Sequence, residues 1–188
     1  MPDGTQIGRS ASAALWTLPN VITFGRLCAV PMAFWLVLER RLDHAFILFV
    51  IAGISDAVDG WLARRWGGNA IGALLDPVAD KALLVTMYVT LAAVGALPDW
   101  LAIMVVFRDL VIVGGVIVLA VLSHPVIIKP LYISKLNTLL QIVLVATTLL
   151  QAGFGLPVPW MISTLIWCVA ATTLASGAAY VWVTARGP

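Results

Sequence analysis

Four aspartates, Asp56, Asp59, Asp76 and Asp80, lie in two hydrophobic stretches, Ala45–Trp66 and Ile71–Gly95, joined by the short loop Gly67–Ala70. An ionised Asp near the middle of a membrane helix costs roughly 2.5–3.5 kcal/mol, so four together cost on the order of 10 kcal/mol without compensation. Mutual repulsion and desolvation make such a cluster untenable unless something cationic joins it. Metal ions meet that need, and phosphate chemistry is the usual reason to hold them.

The spacing sharpens the argument. Asp56 and Asp59 are spaced i,i+3 and Asp76 and Asp80 i,i+4, so each pair projects from one helix face. In an antiparallel hairpin, residues equidistant from the loop stand at equal depth. Asp59 then pairs with Asp76, each about eight residues from position 68, and Asp56 with Asp80, about twelve residues out, which at 1.5 Å per residue lies roughly 10–15 Å from the helix ends. The result is an oxygen-only box, suited to two hard divalent cations, Mg²⁺ or Mn²⁺, rather than to zinc, which would bring His or Cys. His44 and His124 both fall in loops. Simple pairing of the cluster with Arg64 and Lys81 is the blander alternative, but two cations on other faces cannot satisfy four anions.

Small residues interleave the acids: Gly60, Ala63, Gly72 and Ala73. They serve equally as helix-packing positions or as room for a flat ligand against the backbone. Arg64 is placed to reach a nucleotide phosphate or to anchor the helix at the water boundary. Gly67-Gly68-Asn69 is a turn that lacks the spacing of a phosphate-binding loop.

The elements that must position these residues are membrane helices. The chain has 188 residues, 62% hydrophobic and 11% charged, with a mean hydropathy of +1.04. That predicts an all-α integral membrane protein forming one domain over residues 1–188. A net charge of +2 gives no footprint for nucleic acid. Six spans are expected, at Val21–Leu38, Ala45–Trp66, Ile71–Gly95, Trp100–Leu122, Lys135–Ala152 and Trp160–Thr184, each long enough to cross a core of roughly 30 Å. Ala11–Leu18 is expected to form a short interfacial helix with Trp16 at the headgroups. The N-terminal segment lacks the pattern of a signal peptide, so the first span is expected to serve as its own insertion signal. Cytoplasmic termini put Arg9, Arg64, Arg65, Lys129, Lys135 and Arg186 inside and only Arg40 and Arg41 outside. Trp100 and Trp160 then mark the outer edge and Trp16, Trp66 and Trp182 the inner one. Cys28 and Cys168 fall inside spans and read as small core residues rather than a disulfide.

The pattern Asp56-x2-Asp59-Gly60-x2-Ala63-Arg64-x7-Gly72-x3-Asp76-x3-Asp80 matches the signature of the CDP-alcohol phosphotransferase family, with eight fixed positions over 25 residues. This resemblance implies a six-helix membrane enzyme, usually dimeric, that moves a phosphatidyl group from CDP-diacylglycerol to an alcohol. It implies two divalent metals on the aspartates, with Asp80 as general base, and contacts to cytidine diphosphate from Gly60, Ala63, Arg64, Asn69 and Gly72. It also implies a bacterial or mitochondrial inner membrane, with the site facing the cytoplasm or matrix.

Leu18-Pro19-Asn20-x2-Thr23-x2-Arg26-x4-Pro31 resembles the first-helix motif shared by the phosphatidylglycerophosphate synthases and cardiolipin synthases of that family. It adds Asn20 and Thr23 to the expected CDP-diacylglycerol contacts. Three later segments look more like the cardiolipin-synthase branch: Arg108-Asp109, Ile133-Ser134-Lys135-x-Asn137-Thr138-x2-Gln141, and Leu165-Ile166-Trp167-Cys168 with the Ala/Thr/Ser-rich run after it. A charge inside a span is a functional candidate by default. Arg26, Arg108 and Lys135 are therefore expected to form a basic wall for lipid phosphates, one of them recognising the acceptor. Arg108 and Asp109, about 100° apart on a helix, are not expected to pair. The acceptor expected is phosphatidylglycerol, with glycerol 3-phosphate as the alternative. A cation transporter is the rival from another class, but an ion path has no need of the Asp-Gly-x2-Ala-Arg context.

Overall fold

The computed structural model describes the backbone over residues 18–66, 70–121, 132–157 and 159–186, and side chains over 24–58, 79–112, 114, 132–157 and 159–180. Six helices make up the described residues, which contain no strand: α1 (Leu18–Leu38), α2 (Leu42–Trp66), α3 (Ala70–Ala93), α4 (Asp99–Val121), α5 (Tyr132–Phe154) and α6 (Pro159–Arg186). Their ends fall within three residues of the expected spans. Pro31 lies inside α1, a position that membrane helices tolerate better than soluble ones. The expected interfacial helix at Ala11–Leu18 and the turn Gly67-Gly68-Asn69 lie outside the described residues.

Packing partners run round a closed ring, α1 to α2, α5, α6, α4, α3 and back to α1. α1 lies against both α2 and α3, most extensively against α3, so the two acid-bearing helices share it as a neighbour. The three short connections α1–α2, α3–α4 and α5–α6 lie at one end of the bundle, here the turn end. Two of them close in the same way. Arg41 N donates to Leu36 O at 2.9 Å and Arg40 N to Val37 O at 3.1 Å, with Arg40 at φ 58°. Ala96 N donates to Leu91 O and Gly95 N to Ala92 O, both at 2.8 Å, with Gly95 at φ 75°. Each is a left-handed cap that satisfies carbonyls at the helix end. Beside the first cap, the His44 ring lies 2.8 Å from Asp43 and holds that carboxyl below its ordinary range.

At the turn end α2 and α5 meet closely. A Cβ added at Gly153 of α5 would stand 2.6 Å from Asp43 N and 2.8 Å from Asp43 Cα. The apolar core fills the same half, with Val37, Phe49, Met87, Leu91, Leu101, Val105, Leu144, Leu149 and Val169 buried. Tyr88 is fully buried there and donates its hydroxyl to the Gln141 carbonyl at 3.3 Å.

Large apolar side chains also cover the outside, among them Phe24, Trp35, Ile103, Phe107, Trp160 and Trp167. Among the described residues, Tyr132–Phe154 and Pro159–Tyr180 are helical stretches long and apolar enough to cross a membrane. Cys28 and Cys168 are exposed and unbonded, which corrects the expectation that they fill the core. They sit on outward faces of α1 and α6, where an apolar surface accepts a thiol as readily as a core does.

Candidate active site

The charged residues extend the buried stripes of their helices toward the end opposite the turns. On α1, Arg26 continues the buried row Ala29, Ala33, Leu36 and Val37. On α2, Asp56 follows Ala45, Phe49 and Ala52, and on α3 Asp80 precedes Leu84, Met87, Tyr88 and Leu91. These spacings of three, four and seven put each charge on the face already turned inward by its apolar neighbours. Ala29 and Ala33 keep α1 slender, which lets it lie close to both acid-bearing helices.

Arg26, only 3% exposed, reaches between those helices. Its Nη1 donates to Asp80 Oδ1 at 2.7 Å and lies 2.9 Å from Asp56 Oδ1. Asp56 and Asp80 thus converge on Arg26 at the common depth that equal distance from the α2–α3 loop gives them. Their carboxylates remain partly open. Sequence reasoning groups Arg26 with Arg108 and Lys135, whereas the structure seats it on the carboxylates. That position carries positive charge between two carboxylate oxygens, the donor chemistry a hard divalent cation takes. Among the described residues no His or Cys adjoins this pair: Cys28 faces outward and His44 lies at the turn end. The two carboxylates therefore fit a hard divalent cation.

A second polar centre adjoins the first. Lys81 Nζ donates to Asp109 Oδ2 at 2.8 Å, and Arg108 Nη1 to Asp109 Oδ1 at 2.8 Å. Arg108 Nη2 also donates to Ser134 Oγ and Ser176 Oγ, each at 2.6 Å. The expectation that Arg108 and Asp109 cannot pair is corrected: the long guanidinium side chain folds back across the angle between adjacent positions. Lys81 answers Asp109, which leaves it out of the aspartate pair. One turn further along α5, Asn137 Oδ1 accepts from Thr172 Oγ1 at 2.8 Å and Thr173 Oγ1 at 2.9 Å. The Ser134–Gln141 segment and the Ala/Thr/Ser-rich run of α6 are therefore the two sides of one polar contact. Lys135 is exposed at the start of α5.

Asn20 and Thr23 lie on α1, Asp59, Gly60, Ala63 and Arg64 on α2, and Gly72 and Asp76 on α3. Their side chains, and the whole of Asn69, lie outside the described residues. Among the described residues no group of three His, Cys, Asp or Glu stands ready for a metal.

The family model for CDP-alcohol phosphatidyltransferases matches residues 16–182. The chain belongs to the CDP-alcohol phosphatidyltransferase family. That family depends in general on divalent metal, and Asp56 and Asp80 lie within the matched residues. A chloroplastic CDP-diacylglycerol–glycerol-3-phosphate 3-phosphatidyltransferase of Oryza sativa is 36% identical over 182 residues, covering 87% of this chain and 55% of that protein. A CMP-forming cardiolipin synthase of Rattus norvegicus is 33% identical, covering 88% and 60%, and that of Homo sapiens 32% identical, covering 93% and 65%. The chain spans less than two thirds of the length of these relatives. Together with two apolar helices of membrane-crossing length, this membership makes the chain a membrane protein.

Proposed function

We propose that this protein is a CDP-diacylglycerol-dependent cardiolipin synthase. It transfers a phosphatidyl group to phosphatidylglycerol and releases CMP. The observation that carries the reading is the convergence of Asp56 and Asp80 on one nitrogen of Arg26, at positions where the signature puts metal ligands. The two cardiolipin synthases that match most of the chain support the acceptor.

Asp56, Asp59, Asp76 and Asp80 hold two divalent ions in this reading. When bound, Mg²⁺ or Mn²⁺ neutralises the pyrophosphate and polarises the phosphorus. Asn20, Thr23, Gly60, Ala63, Arg64, Asn69 and Gly72 bind the cytidine diphosphate portion. Asp80 takes the proton of the attacking glycerol hydroxyl. A carboxylate is far too weak a base to ionise that hydroxyl beforehand, so proton transfer accompanies attack. Arg26 adds charge at the reacting phosphate, while exposed Lys135 receives the acceptor phosphodiester and buried Arg108 holds the neighbouring Ser134 in place. All six helices span the membrane as one domain, with both termini and the site on the cytoplasmic or matrix side. The family resemblance supports a homodimer.

The second reading is phosphatidylglycerophosphate synthase, favoured by the identity with the Oryza sativa relative. Offering CDP-diacylglycerol with each acceptor separately, and identifying the lipid product, decides between them.

A further inference from the structure

Two adjacent residues of α3 are held by its two different neighbours in the ring. Asp80 is bonded to Arg26 of α1, and Lys81 to Asp109 of α4. The α3–α4 connection lies at the turn end. From Lys81 to the end of α3 at Ala93 is about 18 Å at 1.5 Å per residue. The connection alone therefore does not fix the α3–α4 spacing at this depth, and among the described residues the Lys81–Asp109 pair is a side-chain bond that joins the helices there.

Asp109 is itself firmly held. It is 7% exposed, and each of its oxygens already has a cation, Lys81 on Oδ2 and Arg108 on Oδ1. Arg108 is tied in turn to Ser134 of α5 and Ser176 of α6. Bonds thus run without a break from Lys81 through Asp109 and Arg108 into both C-terminal helices. We infer that Asp109 is a positioning residue: by binding Lys81 it anchors the turn of α3 that carries Asp80 to the rest of the bundle, and so sets that carboxylate for a divalent cation. The inference rests on the metal role proposed for Asp80.

Direct Mn²⁺ binding to the purified full chain in detergent, read from the electron paramagnetic resonance signal of free Mn²⁺, tests it without relying on turnover. Lys81→Met removes the tie from a partly exposed position and leaves Asp109 paired with Arg108, so no buried charge is stranded. Lys81→Met and Asp109→Asn should each weaken Mn²⁺ binding about tenfold, as loss of a group that orients a ligand does. The double variant should be no weaker than either single one, and Lys81→Arg should bind like wild type. Unchanged affinity in either single variant would overturn the inference. So would losses that multiply in the double variant, or recovery there, which would mean that Asp109 merely keeps Lys81 off the aspartates. Wild-type protein that binds no Mn²⁺ would overturn the metal reading, and the inference with it.

Discussion

Asp56 and Asp80, on different helices, each present one carboxylate oxygen to the same nitrogen of Arg26, at 2.9 and 2.7 Å. Arg26 and a bound metal would thus neutralise the same pair from different directions. Removing the arginine leaves the carboxylates to repel each other unless metal is present. Arg26→Met should lower the unfolding temperature in EDTA by about 3–6 °C, corresponding to ~1–2 kcal/mol for a partly exposed ion pair. Added Mn²⁺ should recover more stability in the variant than in wild type. Equal Mn²⁺ effects on both would separate Arg26 from the metal site.

Loss of a ligand should be far more severe for turnover than for folding. Asp56→Ala should abolish activity, and EDTA should stop the wild type until Mg²⁺ or Mn²⁺ is restored. Full activity in EDTA would end the metal account.

Asp80 separates binding from chemistry. Asp80→Asn keeps an oxygen and nearly the same volume but cannot accept a proton. CDP-diacylglycerol binding should largely survive while kcat falls by roughly 10²–10⁴. A near-normal rate would reduce Asp80 to a structural role.

How much of this was legible in the sequence depended on whether a relationship was local. Equal distance from the α2–α3 loop was enough to put Asp56 and Asp80 at one depth, because one loop and a fixed helical rise determine it; α1, packed against both helices, brings them onto Arg26. Helix ends came within three residues because polar and turn residues gather between apolar runs. The Lys81–Asp109 bond had no such signal. It joins residues 28 apart on helices whose rotation about each other is set by packing along the whole bundle. Arg26 was hidden for the same reason, since only the three-dimensional neighbourhood of α1 shows that it lies against both acid-bearing helices. The outward aspect of Cys28 and Cys168 followed from helix rotation, which an apolar residue in a uniformly apolar span does not reveal.

Gly153 offers a test of the fold apart from the chemistry. A methyl group there meets the backbone of Leu42 and Asp43, which cannot rotate away. Gly153→Ala should destabilise by ~1–3 kcal/mol, the cost of overpacking, and leave the Mn²⁺ requirement unchanged. Wild-type stability in that variant would mean that α2 and α5 separate freely at the turn end.

The acceptor is the central claim. A lipid acceptor would bring its phosphodiester to the headgroup layer, and the proposed topology puts exposed Lys135, next to the Ser134 that Arg108 holds, on that side. Glycerol 3-phosphate would bring a dianion from the aqueous side. The most direct measurement incubates the purified full chain with CDP-diacylglycerol and Mn²⁺, offers phosphatidylglycerol and glycerol 3-phosphate in separate reactions, and identifies the lipid by mass spectrometry. Cardiolipin and CMP from phosphatidylglycerol, with little product from glycerol 3-phosphate, is the predicted result. Phosphatidylglycerophosphate from glycerol 3-phosphate, with no cardiolipin from phosphatidylglycerol, would contradict it.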